Sequence, residues 1–443
     1  MDVILERSHE LKQALVDFVL DAEGELAQAL EVYAAEQLRR GSGDSTQQDL
    51  TIDSFLTNGK VGDKSPLELF IESHPDLTES DRSLINSWHH SFIGLFAITN
   101  IFPDGFELRN WLTDKQYIVK PNNTQTLQAI SRLKVGEILL TRISPVTDSY
   151  WMFSGPYTIM GKLGKPKLAV AIGNFKENYK SNLYSDAPDL LEEAWQSVEK
   201  YHQQFVDFFG TDELTLPGYQ LNKKIAELQE VITEKTFAAA GIDTSKSLAE
   251  VAEAAGIGDE EIKAAAQEFG ADSNIVSEMF NNKSSKSKMV MPKVDLPAEL
   301  KKAEQVTALS HPRWGQMFLP TYSKVQAILS AEDWQSVQGA EKLIRYYLED
   351  KSINAFIWHR LAQQYPTQLE KVLQTFLQRP FRLESDLDTL LQEFHKPIEP
   401  ELPDIASVPI HLHNLFQEAL GEVSKSKPKG KGQQKPAKGF QRS

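Results

Sequence analysis

Apolar residues recur at helical spacing through the first forty positions, at Leu11, Leu15, Phe18, Ala22, Leu26, Leu30 and Tyr33. That spacing lines one face and predicts one long helix, or two in line, over residues 2–40. Gly41, Ser42 and Gly43 stop it. The polar run from Asp44 to Asp63 looks like a linker, so 41–63 separates an N-terminal helix (1–40) from the domain beginning at 64. Helical patterning resumes at SPLELFIESH, whose Ser-Pro start suits a first turn. In TESDRSLINSWHHS, Thr78 is an N-cap with Asp81 three residues on, close to a capping box.

The period then changes. FIGLFAITNIF is a run of aromatic and branched residues, and Pro103-Asp104-Gly105 is a turn in which proline sets φ and glycine accepts positive φ. FELRNWL, KQYIVKP, EILLTRISPV, SYWMFSG and YTIM come next as short β-type runs separated by Gly, Pro, Asp and Asn. Five or six strands in so short a span predict a small closed or half-closed barrel at about 92–160, because closure removes exposed edges. A strongly twisted sheet covered by helices is the alternative.

Helical spacing returns in KLAVAIGNFKENYK and in LLEEAWQSVEKYHQQFVDFFG, with Gly210 as C-cap. LNKKIAELQEVITEKTFAAAG ends at Gly241, completing a mixed domain over 64–240. SLAEVAEAAG and DEEIKAAAQEFG form a small helical module at 241–280. The polar segment 281–297 reads as an interdomain linker. From 298 to 422, ELKKAEQVTAL and the medium helical patterns after it, punctuated by prolines, predict a C-terminal helical domain. The fold class is therefore α+β, predominantly helical, with a small β-barrel-like insert flanked by helical domains.

Charge adds a feature that periodicity misses. The 443-residue chain is formally −15. Its last nineteen residues, KSKPKGKGQQKPAKGFQRS, carry Lys425, Lys427, Lys429, Lys431, Lys435, Lys438 and Arg442 and no acid. The rest therefore holds 40 basic and 62 acidic side chains, a formal −22. With its glycines and prolines the tail, 423–443, cannot bury enough apolar area to fold alone. Three readings fit it: a solvated end, docking onto the acidic body, or binding of RNA or a ribonucleoprotein through counterion release. Phe440 could add a stacking contact.

Motif chemistry is sparse. Cysteine is absent, which removes disulfides, thiolate metal sites and a cysteine nucleophile. No phosphate loop, dinucleotide fingerprint, nucleophile elbow or EF-hand loop occurs. No catalytic residue is assigned, and no cofactor or metal is expected. His411 and His413 in IHLH would share a face on an extended segment, the spacing of a metal pair, but no HExxH accompanies them. His89-His90 fall at a helix-to-strand junction, and His202 falls in the C-terminal half of a helix. Residues 243–272 resemble two helices about a Gly-Ile-Gly turn, yet hold eight acids against two lysines, so sequence-specific DNA reading is not expected. SHPRWGQMFLPTY is dense in aromatics. Arg313, Trp314, Phe318 and Tyr322 are candidate protein-interface residues, with an ordered connection pinned into a core as the alternative.

The N-terminal residues are amphipathic with scattered acids, unlike a signal peptide. No apolar run is long enough to span a bilayer. A cytoplasmic location is expected.

Residues 65–155, with "SPLELFI", "TESDRSLINSWHHSFIGLFAI", "FELRNWLTDKQYIVKP", "VGEILLTRISPV" and "SYWMFSG", resemble a domain that precedes SEC-C zinc motifs in uncharacterised bacterial proteins. The whole chain, with "PGYQLNKKI" (217–225) and "HPRWGQMFLPTY", resembles an uncharacterised cyanobacterial-type family with plastid relatives. Without cysteine the zinc end is missing, and the lysine-rich tail occupies its place. The resemblance carries over no functional residue.

The expected function is a non-enzymatic binding or assembly factor, with helical surfaces for a protein partner and the tail for RNA, a ribonucleoprotein or an acidic partner. The alternative is a hydrolase-type enzyme with its site between the β-rich insert and the flanking helices, near Arg109, Arg142 or His89.

Overall fold

The computed structural model describes residues 2–38, 45–121, 133–239 and 289–426. The chain forms two compact units, Met1–Pro188 with Pro409–Ser443, and Asp189–Val408.

The first unit opens with α1 (Val3–Leu20) and α2 (Glu25–Leu38), two helices as the periodicity allows. The expected linker is different. Residues Ser45–Asn58 form α3, with Phe55 and Leu56 wholly buried. Its polar composition hid the helical spacing of Ile52, Phe55 and Leu56. α4 (Pro66–Ser73) and α5 (Glu79–Ser87) start at complete capping boxes, Ser65 with Glu68 and Thr78 with Asp81. Each box satisfies two amide donors that a helix start leaves orphaned.

A single 3-10 turn, Trp88–His90, leads into the barrel. Its strands are β1 (Phe92–Phe102), β2 (Gly105–Asn110), β3 (Gln116–Lys120), β4 (Ile138–Pro145) and β5 (Trp151–Gly161). They close in the order β1-β2-β3-β5-β4, with one parallel pair, β3 with β5, and β4 returning to β1. The barrel extent matches the expected 92–160. SYWMFSG and YTIM form one continuous strand, whose register shifts along β4.

Phe92, Phe96, Ile98, Phe106, Leu108, Val119, Leu139, Ile143 and Phe153 fill the interior. β1 is buried continuously from Phe92 to Ile98, so it does not alternate as a half-exposed strand would. A second core joins Leu11, Leu15 and Val19 of α1 to Phe55, Leu56, Leu67, Phe70, Ile85 and Trp88, and reaches Met152 of β5. After β5 come α6 (Lys165–Asn178) and a second 3-10 turn, Lys180–Asn182. The C-terminal helix, Ile410–Ser426, packs on α6 in this unit, with Lys165 Nζ 2.9 Å from Glu418 Oε2.

The second unit begins with α7 (Pro188–Phe209), closed at Gly210 as expected. β6 (Glu213–Leu216) and α8 (Gly218–Ala239) come next. ELKKAEQVTAL is helical only at α9 (Ala298–Lys301); Val306–His311 is β7. Its branched residues pair with β6 on one side and with β8 (Gly315–Leu319) on the other. Two glycines of these elements permit close packing. Gly218 lies so close to α9 that a Cβ would sit 1.8 Å from the Leu300 carbonyl oxygen. Gly315 has φ +71° in the β7–β8 hairpin, and a Cβ would meet Pro403 at 2.7 Å.

Five helices complete this unit: α10 (Tyr322–Ser330), α11 (Ala340–Glu349), α12 (Ala355–Gln364), α13 (Pro366–Leu377) and α14 (Leu383–Glu393). Their inward faces form one core with Ile344, Tyr347, Trp358, Leu373 and Leu391. The expected module at 241–280, and residues 281–288 of the expected linker, lie outside the described residues.

Candidate functional site

Asp53 sits on the inward face of α3, buried against β4 and β5. A buried carboxylate needs partners, and Asp53 has three. Ser154 Oγ donates to Oδ1 at 2.8 Å, and Arg142 Nε donates to Oδ2 at 3.0 Å. Lys12 Nζ of α1 lies 2.8 Å from Oδ1. The Lys12 ammonium completes no well-angled hydrogen bond there, so this is a charge contact. Burial pushes the Asp53 carboxyl up, but Lys12 and Arg142 together hold it below its usual range. Burial lowers the Lys12 ammonium by more than Asp53 restores.

Two cations thus share one carboxylate in a dry layer. Arg142 is 1% exposed. Its Nη2 donates to Thr57 Oγ1 at 2.5 Å and to the Ser91 carbonyl at 3.4 Å. Its Nη1 makes no hydrogen bond with any described residue. Arg142 is among the residues lining a cleft of about 820 Å³ between α3, the Trp88–His90 turn and the barrel mouth.

The other wall is aromatic. The rings of Phe92, Tyr117 and Trp151 pack on one another with centroids 5.2–5.6 Å apart. Tyr117 OH donates to Asp186 Oδ2 at 2.6 Å, and Asn110 and Thr113 donate to the same oxygen at 3.1 and 2.8 Å. Burial, reinforced by Asp186, pushes the Tyr117 phenol up, so it stays protonated as a donor. His89 and His90 are exposed on the cleft rim.

Of the three residues expected to mark such a site, Arg142 and His89 line the cleft. Arg109 does not: it pairs with Asp114 and lies over the Trp111 ring at 4.9 Å. His411 and His413 lie in the first turn of the C-terminal helix rather than on a strand, which places them on diverging faces. His411 Nε2 is 2.8 Å from the Trp111 carbonyl oxygen. No group of three potential metal ligands occurs among the described residues.

The aromatic segment SHPRWGQMFLPTY is the β7–β8 hairpin and the start of α10. Tyr322, a candidate interface residue, is 0% exposed, so it anchors the core instead. Trp314 is partly buried against the same core, and Phe318 is half-buried on β8. Arg313 is exposed and stacks over Trp195 at 4.5 Å. His202 Nδ1 is 3.2 Å from Ser310 Oγ, a structural contact within the second unit. Among the tail cations, Lys425 lies in the last turn of the C-terminal helix; Lys427, Lys429, Lys431, Lys435, Lys438 and Arg442 lie outside the described residues.

Asp53, Tyr117, Trp151 and Asp186 carry the site and were not singled out by sequence. The Ile52–Phe55–Leu56 spacing could have found α3 and so Asp53. Nothing local marks the other three. No helix among the described residues is long and apolar enough to cross a membrane. No protein-family model, no curated protein and no solved structure matches the chain.

Proposed function

We propose that this protein is a binding or assembly factor of the cytoplasm, whose helical surfaces contact a protein and whose tail contacts RNA, a ribonucleoprotein or an acidic partner. The observation that carries this reading is segregated charge: seven cations without an acid in 425–443, against a formal −22 elsewhere. Attraction between a basic strand and phosphates is sequence-independent and needs no folded site. The state of the cleft acids supports the same reading. Asp53 is committed to Lys12, Arg142 and Ser154, and Asp186 to Tyr117, Asn110 and Thr113.

The test is affinity purification of the full chain and of a full chain with its seven tail cations replaced by glutamine, at low and high salt, with and without nuclease. Loss of the same partners on substitution, salt or nuclease supports an RNA-bearing partner. Identical partners in every condition contradict the proposal.

A hydrolase-type enzyme is the second reading. The observation favouring it is the cleft itself, which lies between barrel and helices and is lined by Arg142 and His89. Such an enzyme would use an Asp, Glu or His of this cleft, and with His89 as the candidate base, His89→Ala abolishing a measured hydrolysis would favour it over the binder.

A further inference from the structure

We propose that the cleft of the barrel unit binds a small oxyanion, a phosphate or carboxylate, carried on a flat ring. This site is independent of the tail. The buried layer at its floor holds Lys12 and Arg142 against the single carboxylate of Asp53. Both Asp53 oxygens are taken. With Lys12 protonated the pair carries one charge more than Asp53 offsets, and the side chain that reaches the cleft is Arg142.

Burial makes that excess costly without a counter-ion. Arg142 Nη1 has its donors unclaimed by any described residue. Nη1 alone offers two N–H donors to the oxygens of a carboxylate or phosphate, a charge-assisted contact. His89 and His90 on the rim can add hydrogen-bond donors. The Phe92, Tyr117 and Trp151 cluster supplies ring edges and faces for a planar group. Asp186 is the opposing charge in the cleft. Three hydrogen bonds converge on its Oδ2, which tie it to the aromatic wall. Arg142 and Asp186 thus mark a cationic floor and an anionic wall, which orients a ligand that carries an oxyanion at one end and a flat ring at the other.

The experiment is titration calorimetry on the full chain with adenosine 5′-monophosphate, nicotinate, adenosine and inorganic phosphate. The first two carry oxyanion and ring together, one as phosphate and one as carboxylate; the last two carry the parts. The expected result is one-to-one binding of the monophosphate or nicotinate at a Kd below ~1 mM, at least tenfold tighter than either part. Arg142→Lys keeps the charge, removes the Nη1 donors, and should weaken binding about tenfold. Because Arg142 is buried, the exposed pair His89→Ala/His90→Ala provides a second variant, expected to weaken binding several-fold with the fold intact. Trp151→Phe should remove the ligand-induced change in tryptophan fluorescence. No binding of either ring-bearing anion, or equal binding by wild type and all three variants, overturns the proposal.

Discussion

Asp53 of α3 accepts a 3.0 Å hydrogen bond from Arg142 Nε of β4, across 89 positions of sequence. This pair joins the helical layer to the outside of the barrel. Ile143, the next residue, points into the barrel core, so Arg142 must face the helices. The bond exists because one polar helix face and one outward strand position meet in a region that excludes water.

Removing the carboxylate should be worse than removing the whole pair. Asp53→Asn leaves Lys12 and Arg142 buried beside a neutral amide. A loss of about 3–5 kcal/mol in the stability of the first unit is expected, read by urea denaturation. Adding Lys12→Met to Asp53→Asn should recover part of that loss. A double variant no more stable than the single one would contradict the charge argument.

The same pair sets an acid limb. Its cations hold Asp53 below its usual value, so the unfolded chain takes up the proton first as pH falls. The stability it contributes is complete above about pH 4, the ordinary aspartate value, and is lost as pH falls through the folded value. Asp81 adds to this limb, because its hydrogen bond from Arg7 also lowers it. Wild type should lose stability below pH 4 more steeply than Asp53→Asn, in urea unfolding measured as a function of pH. Parallel curves would sink the assignment.

Lys396 predicts the opposite slope at high pH. Its ammonium is buried among the carbonyls of Tyr347 and Asp350 at the end of α11, and burial lowers it to about 8. The unfolded lysine, with an ordinary value of about 10.4, binds more protons between those limits. Stability contributed by this group should therefore rise as pH climbs from about 8. Lys396→Met should flatten the rise in denaturation measured between pH 7.5 and 9.5, roughly the lower part of that interval.

Arg360 of α12 clamps the turn between α7 and β6. It makes paired bonds of 2.7 and 2.9 Å to Asp212 and one of 3.0 Å to Glu213. Arg360→Lys keeps the charge and loses the fork, so a loss of about 1–2 kcal/mol is expected. Solvent reaches Asp212, which keeps the figure modest. Denaturation in high salt should narrow the gap between the two proteins.

What could be read from sequence was local. The capping boxes at Ser65 and Thr78, the turn at Pro103-Asp104 and the C-cap at Gly210 each depend on a few neighbouring residues, and each is present. The positive φ expected of Gly105 is not: Gly105 pairs with Phe102 as the first residue of β2, and glycine fits there because a Cβ would lie 2.7 Å from the Val119 carbonyl oxygen. The barrel was legible because its apolar runs lack helical spacing. α3 was missed because Asp53, Ser54 and Thr57 look like solvent-facing residues until Arg142 and Ser154 are brought to them. β7 was missed because QVTAL continues a helical-looking start at ELKK. The cleft was half visible, through Arg142 and His89. Its aromatic wall and Asp186 come together only when the barrel closes.

The role of the tail stands or falls on salt. Binding of the full chain to single-stranded RNA, measured across salt concentrations, should give log affinity against log salt with a slope of about −3.5 if roughly five tail charges meet phosphates. The protein with its seven tail cations replaced by glutamine should lose that slope and most of the affinity. Equal affinity and equal slope for the two proteins would contradict a phosphate-binding tail.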